Sequence, residues 1–502
     1  MPEAESAGPV VAPPGQGTPE RAGAGGPGDP FAGLPAERTD GAALRARIRA
    51  LRAGQGLLTG VLDDDPTGSQ SVHGVQVVTD LADDAYRAAL AGPGSTCFVL
   101  TNSRSLDEAA AATVTARAAG GLVGTARRIG ARIQLVSRSD STLRGHVLAE
   151  IAALQSVRRE TAGTGYDGVL LVPAFIEAGR LTAGNIHWAR TSGGLVPVAE
   201  TEFARDAAFS YATSDLTEFL AARSAGAIRP AGVRSISLPD IRIGGPARVA
   251  ELLAGLSGGA WVVVNATCYS DLEAVACGVL LAEQAGRRFA FRSGPSFVRA
   301  LSGIEPADPL RGDRLWPGGR TPGRGLIVVG SHVGQTSRQL AVLRERAGPA
   351  SVELSVPAIL AGAGDPAAAA ARQVASALRR SDVVLYTSRD VARGADAADS
   401  LAISRAVSAT VAATVRRALP ARPAWVLAKG GITSHDVAVR GLRLRRAEVA
   451  GQLFPGVISV FRPLDAAPEA IGMPYVVFAG NVGDDQMLAE VVAILGQPGP
   501  AA

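Results

Sequence analysis

The chain has 502 residues, of which 47% are hydrophobic and only 4% aromatic, and its formal net charge is +4. This length exceeds what one compact core usually holds, so we expect two domains. No apolar run approaches the roughly 20 residues of a membrane span, and the basic residues do not cluster with aromatic ones as in nucleic-acid-binding proteins. These features exclude membrane-spanning and nucleic-acid-binding functions.

The N-terminal segment, residues 1–40, is rich in Gly, Pro and Ala and lacks hydrophobic periodicity, which predicts a disordered tail. It contains no basic region followed by an apolar stretch and therefore does not resemble a secretory signal. We expect a cytoplasmic protein.

Short apolar runs alternate with amphipathic stretches from Leu57 onward, which predicts an α/β fold. In the first predicted domain, residues 41–306, the strand-like runs are LLTGVL, CFVLTNS, RIQLVS, GVLLVPA, WVVVNAT and RFAFRSG. Ser105 and Glu108 have the spacing of a helical capping box, and the glycine pair Gly120-Gly121 would end that helix.

A Gly/Pro/Arg-rich segment at residues 307–325 predicts an interdomain linker. The alternation resumes in residues 326–502, with the runs LIVVGS, DVVLYTS, AWVLAKGG, GVISVFRP and YVVFAGN. Asp365 and Pro366 predict a helix start, with Asp as the N-cap. We therefore expect two α/β domains with mainly parallel sheets. Ligands of such sheets bind beyond the carboxyl ends of the strands, so the polar residues after each run are the candidates.

Three consecutive carboxylates, Asp63, Asp64 and Asp65, follow the first predicted strand. Crowded carboxylates raise one another's pKa unless a cation or a hydrogen-bond donor relieves them. One carboxylate is enough to cap a turn, so the surplus favours a binding or catalytic site over a cap. Arg104 and Arg138 follow two further strands, and each is either a contact for an anion or a solvated surface charge.

Three glycine-containing turns follow strands in the second domain: GSHVG, KGGITSHD and AGNVG. Backbone N–H groups at a glycine turn that opens a helix bind anions. Three such turns predict a site for nucleotide phosphates, although none matches GxxxxGK[ST] or GxGxxG. Lys429, the only lysine of the chain, precedes one turn, where a compact charge would suit a phosphate. Chance placement is the alternative.

Together these motifs resemble the four-carbon acid sugar kinase family over residues 57–495. The carriers are DDPTG at residues 64–68 and DSTLRG at 140–145, followed in order by PAFIEAGRLTAGNIHW, GSHVGQTSRQ, GGITSHD and AGNVGDD. The resemblance implies a sugar-acid-binding N-terminal domain, a nucleotide-binding C-terminal domain and a cleft between them. It also implies ATP-dependent phosphorylation of the terminal hydroxyl of a tetronate or 3-oxo-tetronate.

The resemblance carries roles onto individual residues. Substrate binding falls on Asp64, Arg104, Arg138, Ser139 and Asp140. Nucleotide binding falls on Ser331, Gly430, Gly431, Ile432, Thr433, Gly480 and Asn481, to which we add Lys429. As the catalytic residue we expect Asp64 or Asp65, which would deprotonate the acceptor hydroxyl or hold Mg²⁺ with ATP. The chain departs from the family at Pro66, at Ser69 to Ser71, in AGNVG, and at Arg138, where lysine is usual.

Two other functions stay open at this point. A metal-dependent hydrolase would use the Asp63–Asp65 cluster alone and would need neither ATP nor the second domain. A non-catalytic sugar-acid or nucleotide-binding protein would bind ATP without releasing ADP. The sequence assigns no metal ligands, and it leaves open the stereoisomer of the substrate and whether the chain forms a homo-oligomer.

Overall fold

The computed structural model describes residues 30–497 except 192, 320–321, 331–333, 363, 389–396 and 481. The described chain divides into two compact units, which are residues 30–190 with 195–308, and residues 309–497 with 191–194. Both are α/β, as the alternating pattern predicts. Within the described ranges, no helix combines the length and apolarity needed to cross a membrane.

The elements up to residue 308 alternate between strands and helices over most of their length. The helices are α1 (Gly41–Gly54), α2 (Asp83–Ala89), α3 (Glu108–Arg128), α4 (Val147–Ala162), α5 (Leu216–Arg223), α6 (Leu238–Arg242), α7 (Gly245–Ala254), α8 (Tyr269–Gln284) and α9 (Pro295–Ser302). The strands are β1 (Leu57–Asp63), β2 (Val75–Val78), β3 (Thr96–Leu100), β4 (Arg132–Arg138), β5 (Gly168–Val172), β6 (Arg180–Ala183), β7 (Ile186–Thr191), β8 (Gly194–Pro197), β9 (Arg234–Ile236), β10 (Ala260–Val264) and β11 (Phe289–Ser293).

The sheet of the first unit is parallel, with the strand order β2-β3-β1-β4-β11-β5-β10-β9. Every residue of β1, β3, β5 and β11 is buried. Strands of a parallel sheet are covered on both faces, which explains why they appear in the sequence as continuous apolar runs. Strands β6, β7 and β8 form a separate small sheet in which β6 and β7 are antiparallel.

The elements after residue 308 are mainly parallel strands with flanking helices. The helices are α10 (Gly312–Leu315), α11 (Gly334–Ala347), α12 (Val356–Leu360), α13 (Pro366–Ala377), α14 (Ala397–Ala418), α15 (Gly431–Asp436) and α16 (Met487–Gly496). The strands are β12 (Leu326–Val329), β13 (Ala350–Leu354), β14 (Val383–Thr387), β15 (Val426–Lys429), β16 (Arg446–Phe454), β17 (Ile458–Asp465) and β18 (Tyr475–Phe478).

The strand order of the second unit is β13-β14-β12-β15-β18-β17-β16. The first five strands of this order are parallel, and β17 is antiparallel to both of its neighbours. The predicted N-cap of α13 is confirmed, because the Asp365 carboxylate accepts the N–H of Ala368 at 3.0 Å.

The capping box predicted at Ser105 and Glu108 is wrong. Helix α3 begins at Glu108, and the carboxylate of Asp107 accepts the N–H of Ala110 at 2.8 Å. The Ser105 hydroxyl donates instead to the carbonyl of Asn102 at 2.9 Å. Asp is as good an N-cap as Ser, and the aspartate lies one residue before the helix, in the position from which a side chain reaches the first turn.

The helix stop predicted at Gly120-Gly121 is also wrong, since both glycines lie inside α3. A Cβ atom on Gly121 would overlap the ring of Tyr86, which is buried against this helix. Nothing lies within 4 Å of the corresponding position on Gly120. Gly121 therefore serves close packing within the helix rather than its termination.

Two segments predicted to lie outside the domains make defined contacts. Of the predicted tail, residues 1–29 lie outside the described residues, but the ring of Phe31 packs edge-on against Trp188 with centroids 6.3 Å apart. The predicted linker includes α10 and adds to the core of the second unit the buried side chains of Leu310, Leu315 and Trp316.

Candidate functional site

Four neighbouring strands of the first sheet, β3, β1, β4 and β11, end at one edge of the sheet. Asp63 is the last residue of β1 and lies in register beside Arg138, the last residue of β4. Arg104 lies in a short 3-10 turn after β3. This edge carries all the residues predicted for the acceptor substrate: Asp64, Asp65, Arg104, Arg138, Ser139 and Asp140.

Asp63, Asp64 and Arg138 form a buried charged cluster, which we call the inner cluster. The Arg138 Nη2 group contacts the Asp63 carboxylate, lies 3.3 Å from Asp64 Oδ1 and donates to the carbonyl of Asp65 at 2.9 Å. Burial lowers the pKa of Arg138 to about 9. The cation that crowded carboxylates need is thus supplied by the neighbouring strand.

Asp64 is the least satisfied carboxylate of the inner cluster. Its side chain is 1% exposed, and among the described residues neither carboxylate oxygen has a hydrogen-bond partner. Burial raises the pKa of Asp64 to about 7, with Arg104 acting in the opposite direction and Glu150 in the same one. A carboxyl group with a pKa near neutrality is suited to exchange a proton during catalysis. Asp64 is therefore the candidate proton acceptor.

A second set of charges, the outer cluster, consists of Asp65, Arg104, Asp140 and Arg144. Arg104 contacts the Asp65 carboxylate, and its Nη1 lies 3.5 Å from Asp140 Oδ1. Arg144 Nε donates to Asp140 Oδ2 at 2.8 Å. These four side chains are 13 to 23% exposed. Alternating charges with partial access suit a ligand that has both a carboxylate and hydroxyl groups.

The pKa values in the outer cluster show that its carboxylates stay ionised. Burial opposes the charged form of Asp65, but Arg104 and the hydrogen bonds from Thr67 hold the pKa below its ordinary value. The pKa of Asp140 is lowered in the same way, since Arg104 and Arg144 outweigh burial. The two clusters therefore differ in chemistry: the outer carboxylates accept hydrogen bonds as anions, whereas Asp64 titrates near neutral pH.

The DDPTG and DSTLRG motifs pack closely together at two glycines. A Cβ atom on Gly68 would overlap the guanidinium of Arg138. Gly145 has a φ of +107°, and a Cβ atom there would lie 2.9 Å from Arg292 Nη2 and 3.3 Å from Asp64 Oδ2. Gly68 of the first motif thus leaves room for Arg138, which lies just before the second motif. Gly145 of the second motif leaves room for Asp64 of the first.

Arg292 and Glu150 belong to this site but were not predicted from the sequence. Arg292 Nη1 donates to Glu150 Oε2 at 2.5 Å and to Ser137 Oγ at 2.7 Å, while its Nη2 has no partner among the described residues. Arg292 lies in the predicted strand RFAFRSG, and the search for polar residues at strand ends would have found it. Glu150 lies within helix α4 and carries no such signal.

The second unit brings three glycine turns together. Strands β12, β15 and β18 are adjacent and parallel, so Gly330, Gly430 and the turn at Gly480 lie at the same edge of the sheet. A Cβ atom on Gly330 would overlap the Thr433 hydroxyl, so two of the turns touch. This edge carries the predicted residues Lys429, Gly430, Gly431, Ile432, Thr433 and Gly480, whereas Ser331 and Asn481 lie outside the described residues.

Lys429 is fully buried and holds one of these turns. Its Nζ donates to the carbonyls of Ala479 at 2.8 Å and Gly480 at 3.3 Å, and it lies 3.8 Å from the centroid of the Phe478 ring. Thr336 donates to the same Gly480 carbonyl at 3.1 Å. Burial lowers the pKa of Lys429 to about 7. Through its hydrogen bonds to these carbonyls, Lys429 orders the turn. Its predicted contact with a nucleotide phosphate stays a prediction.

The aspartate triplet does not form a site for a resident metal ion. In the described ranges, no group of three or more His, Cys, Asp or Glu residues is arranged to hold a metal. Asp63 and Asp65 each face a guanidinium instead, from Arg138 and Arg104. The residues present thus do not fit a bound Mg²⁺ as part of the protein.

Two family models match the chain. One describes a sugar-binding N-terminal domain and covers residues 59–301, and the other describes a nucleotide-binding C-terminal domain and covers residues 326–488. The chain is also 30% identical over 363 residues to D-threonate kinase of Cupriavidus necator, a stretch that covers 69% of this chain and 75% of that enzyme. These matches support a sugar-acid kinase.

The fold is similar to two crystal structures. A Haemophilus influenzae protein of family DUF1537 has a TM-score of 0.59 at 17% identity, covering 87% of this chain and 100% of its own. A Salmonella typhimurium protein, provisionally described as a tRNA synthase, has a TM-score of 0.62 at 17% identity, covering 86% of this chain and 98% of its own. At this identity the likeness shows the fold alone.

Proposed function

The chain belongs to the four-carbon acid sugar kinase family, and on this premise we propose that it transfers the terminal phosphoryl group of ATP to a four-carbon sugar acid. The acceptor is the terminal hydroxyl of a tetronate or 3-oxo-tetronate. The observation that carries the proposal is Asp64, a buried carboxylate that accepts no hydrogen bond from the described residues and has a pKa of about 7.

The outer cluster is proposed to bind the sugar acid. The partly exposed guanidinium groups of Arg104 and Arg144 would pair with the substrate carboxylate, because a planar fork matches the two carboxylate oxygens. Asp65 and Asp140, which stay ionised, would accept hydrogen bonds from the substrate hydroxyls. Arg138 is 3% exposed and already paired with the aspartates, so we assign it to holding the inner cluster.

Asp64 is proposed as the catalytic base. The acceptor oxygen forms a bond to the γ-phosphorus, the bond from that phosphorus to the oxygen of the departing ADP breaks, and Asp64 takes the hydroxyl proton. Asp64 is 1% exposed and lies beside Gly145. The acceptor hydroxyl therefore reaches it only if the segment at residues 140–145 shifts when substrate binds.

The second unit is proposed to bind ATP. The glycine turns after β12, β15 and β18 would direct backbone N–H groups at the phosphates. Such N–H groups bind anions without a charged side chain. Ile432, at the start of α15, is 58% exposed and offers an apolar contact for the base. ATP would arrive as its Mg²⁺ complex, and the protein mainly positions the reactants, as in other phosphoryl transfers.

The test is an ADP-release assay with Mg²⁺, ATP and a panel of tetronates that includes D-threonate and D-erythronate. We expect ADP release that depends on the acid and equals the amount of phosphorylated acid found by mass spectrometry. The matched control is the 4-deoxy acid, which keeps the carboxylate but lacks the acceptor hydroxyl. It should bind and give no product.

Three outcomes contradict the proposal. ATP binding without ADP release on any sugar acid would indicate a non-catalytic binding protein. Turnover without ATP would indicate the metal-dependent hydrolase. ADP release that is unaffected by the 4-deoxy change would place the acceptor elsewhere. The cytoplasmic location stays a prediction, and oligomeric state stays open.

A further inference from the structure

We propose that a cavity at the other end of the first sheet binds a small aromatic carboxylate. The cavity has a volume of about 330 Å³ and lies among α3, α4 and the starts of three strands. Leu57, Arg132 and Phe289, which line it, are the first residues of β1, β4 and β11. The candidate active site lies at the last residues of the same strands, about 20 Å away for a seven-residue strand. The two sites are therefore separate.

Part of the cavity wall is apolar. It is formed by the side chains of Val123, Ala126, Ile133, Leu135, Tyr166 and Phe289. Small-molecule pockets measure about 300–1,000 Å³ and are lined mainly by apolar and aromatic side chains. The volume of this cavity lies at the lower end of that range, which suits a ligand with a single ring.

The cavity carries an excess of positive charge. Four arginines line it, Arg127, Arg132, Arg158 and Arg288, against one acid, Glu283. Burial lowers the pKa of Arg132, the nearby charges of Arg288 and Arg158 lower it further, and Glu283 acts in the opposite direction. Crowded cations are stabilised by an anion placed among them. The charge of the cavity therefore selects an anion over a neutral ligand.

A buried polar atom behind the cavity lining lacks a partner. Gln134 is 3% exposed, and its Nε2 donates to Glu283 Oε2 at 2.9 Å. Its Oε1 has no hydrogen-bond partner among the described residues. That oxygen is itself buried, so a ligand in the cavity does not reach it. The preferred ligand is therefore defined by a ring and a carboxylate.

Isothermal titration of the full chain tests this site, with benzoate and benzyl alcohol as probes. We expect benzoate to bind and benzyl alcohol to show no binding. Arg158→Met should weaken benzoate binding at least tenfold. The matched control is Arg159→Met, which changes the exposed neighbour on the same helix and should have no effect. Thermal melting checks that each variant is folded.

Two further variants separate this cavity from the candidate active site. Ala162→Trp places a large side chain at an exposed position of the cavity lining and should abolish benzoate binding. It also carries the test if Arg158→Met does not fold. Arg104→Met, in the outer cluster, should leave benzoate binding unchanged. The proposal is overturned if benzoate does not bind or if benzyl alcohol binds equally well. It is also overturned if Arg104→Met loses benzoate binding while Arg158→Met and Ala162→Trp keep it.

Discussion

The two units hold buried charge in opposite ways. In the first unit, carboxylates at the strand ends are met by guanidinium groups, as with Asp63 and Arg138 or Asp65 and Arg104. In the second unit, the ammonium group of the only lysine, Lys429, is held by backbone carbonyls of residues 479 and 480. Side-chain charges give the first site its own fixed polarity, whereas the second presents mainly backbone dipoles.

This difference matches what each site is proposed to bind. A small sugar acid has one carboxylate and several hydroxyls, so its recognition needs charges of both signs at defined places. A nucleotide brings a large negative charge of its own, and backbone N–H groups receive it without a preset counter-charge. The comparison predicts that single substitutions in the first unit affect catalysis or stability, and that those in the second affect nucleotide affinity.

The largest expected effect is on turnover in Asp64→Asn. The amide cannot accept the proton, and removal of a general base typically costs about 10²–10⁴-fold. We expect kcat to fall about 10³-fold in the ADP-release assay, while calorimetry shows unchanged ADP binding. Asp308→Asn, an exposed aspartate outside the site, is the control. Activity within fivefold of the parent would remove Asp64 from the mechanism.

Lys429→Met tests the second unit. The substitution keeps an apolar chain but frees the carbonyls of Ala479 and Gly480, and a hydrogen bond from a charged group is worth about 1.5–3 kcal/mol. We expect the Kd for ADP to rise about 10- to 100-fold and sugar-acid binding to stay the same. Arg416→Met, at an exposed position of α14, is the control. A loss of sugar-acid binding instead would contradict the assignment of nucleotide binding to the second unit and of sugar-acid binding to the first.

Gly68→Ala tests how tightly the first site is packed. The new Cβ would overlap the Arg138 guanidinium, so the buried ion pair must shift, and overpacking of this kind costs about 1–3 kcal/mol. Urea unfolding should show this loss in the free energy of unfolding. Gly120→Ala, in open space on α3, should cost nothing. Equal stabilities would mean that Arg138 has room to move.

The effect that needs no substitution is the pH dependence of kcat/KM. Burial raises the pKa of Asp64 to about 7, and the protonated form cannot accept the hydroxyl proton. We therefore expect kcat/KM to be level above this pKa and to fall about tenfold per pH unit below it. The residual activity of Asp64→Asn should not show this fall at low pH. If the variant shows the same fall at the same pH, a group other than Asp64 causes it.

Much of the fold and part of the site are predictable from the sequence. The buried parallel strands appear as continuous apolar runs, and the polar residues after them converge because those strands end at one edge. The pairing of Asp63 with Arg138 was not predicted, since it depends on the register of β1 against β4. Glu150 was missed because one glutamate in a helix looks like any exposed one until its packing is known.

Lys429 shows a different limit. Its position before a glycine turn indicated a special role, but the sequence contains nothing about the direction of its side chain. In the structure the ammonium points to the carbonyls of the neighbouring turn. A single sequence does not distinguish a residue that supports a site from a residue that contacts the ligand.

The overlap that a side chain at residue 68 would have with Arg138 also constrains how this family diverges. A shorter cation at position 138, such as lysine, would vacate the space that Gly68 now leaves for the guanidinium. Arginine at position 138 should therefore require glycine at position 68, whereas related chains with lysine at 138 have room for a larger residue there. A related chain with arginine at 138 and a larger residue than glycine at 68 would show that the two motifs pack together in another way.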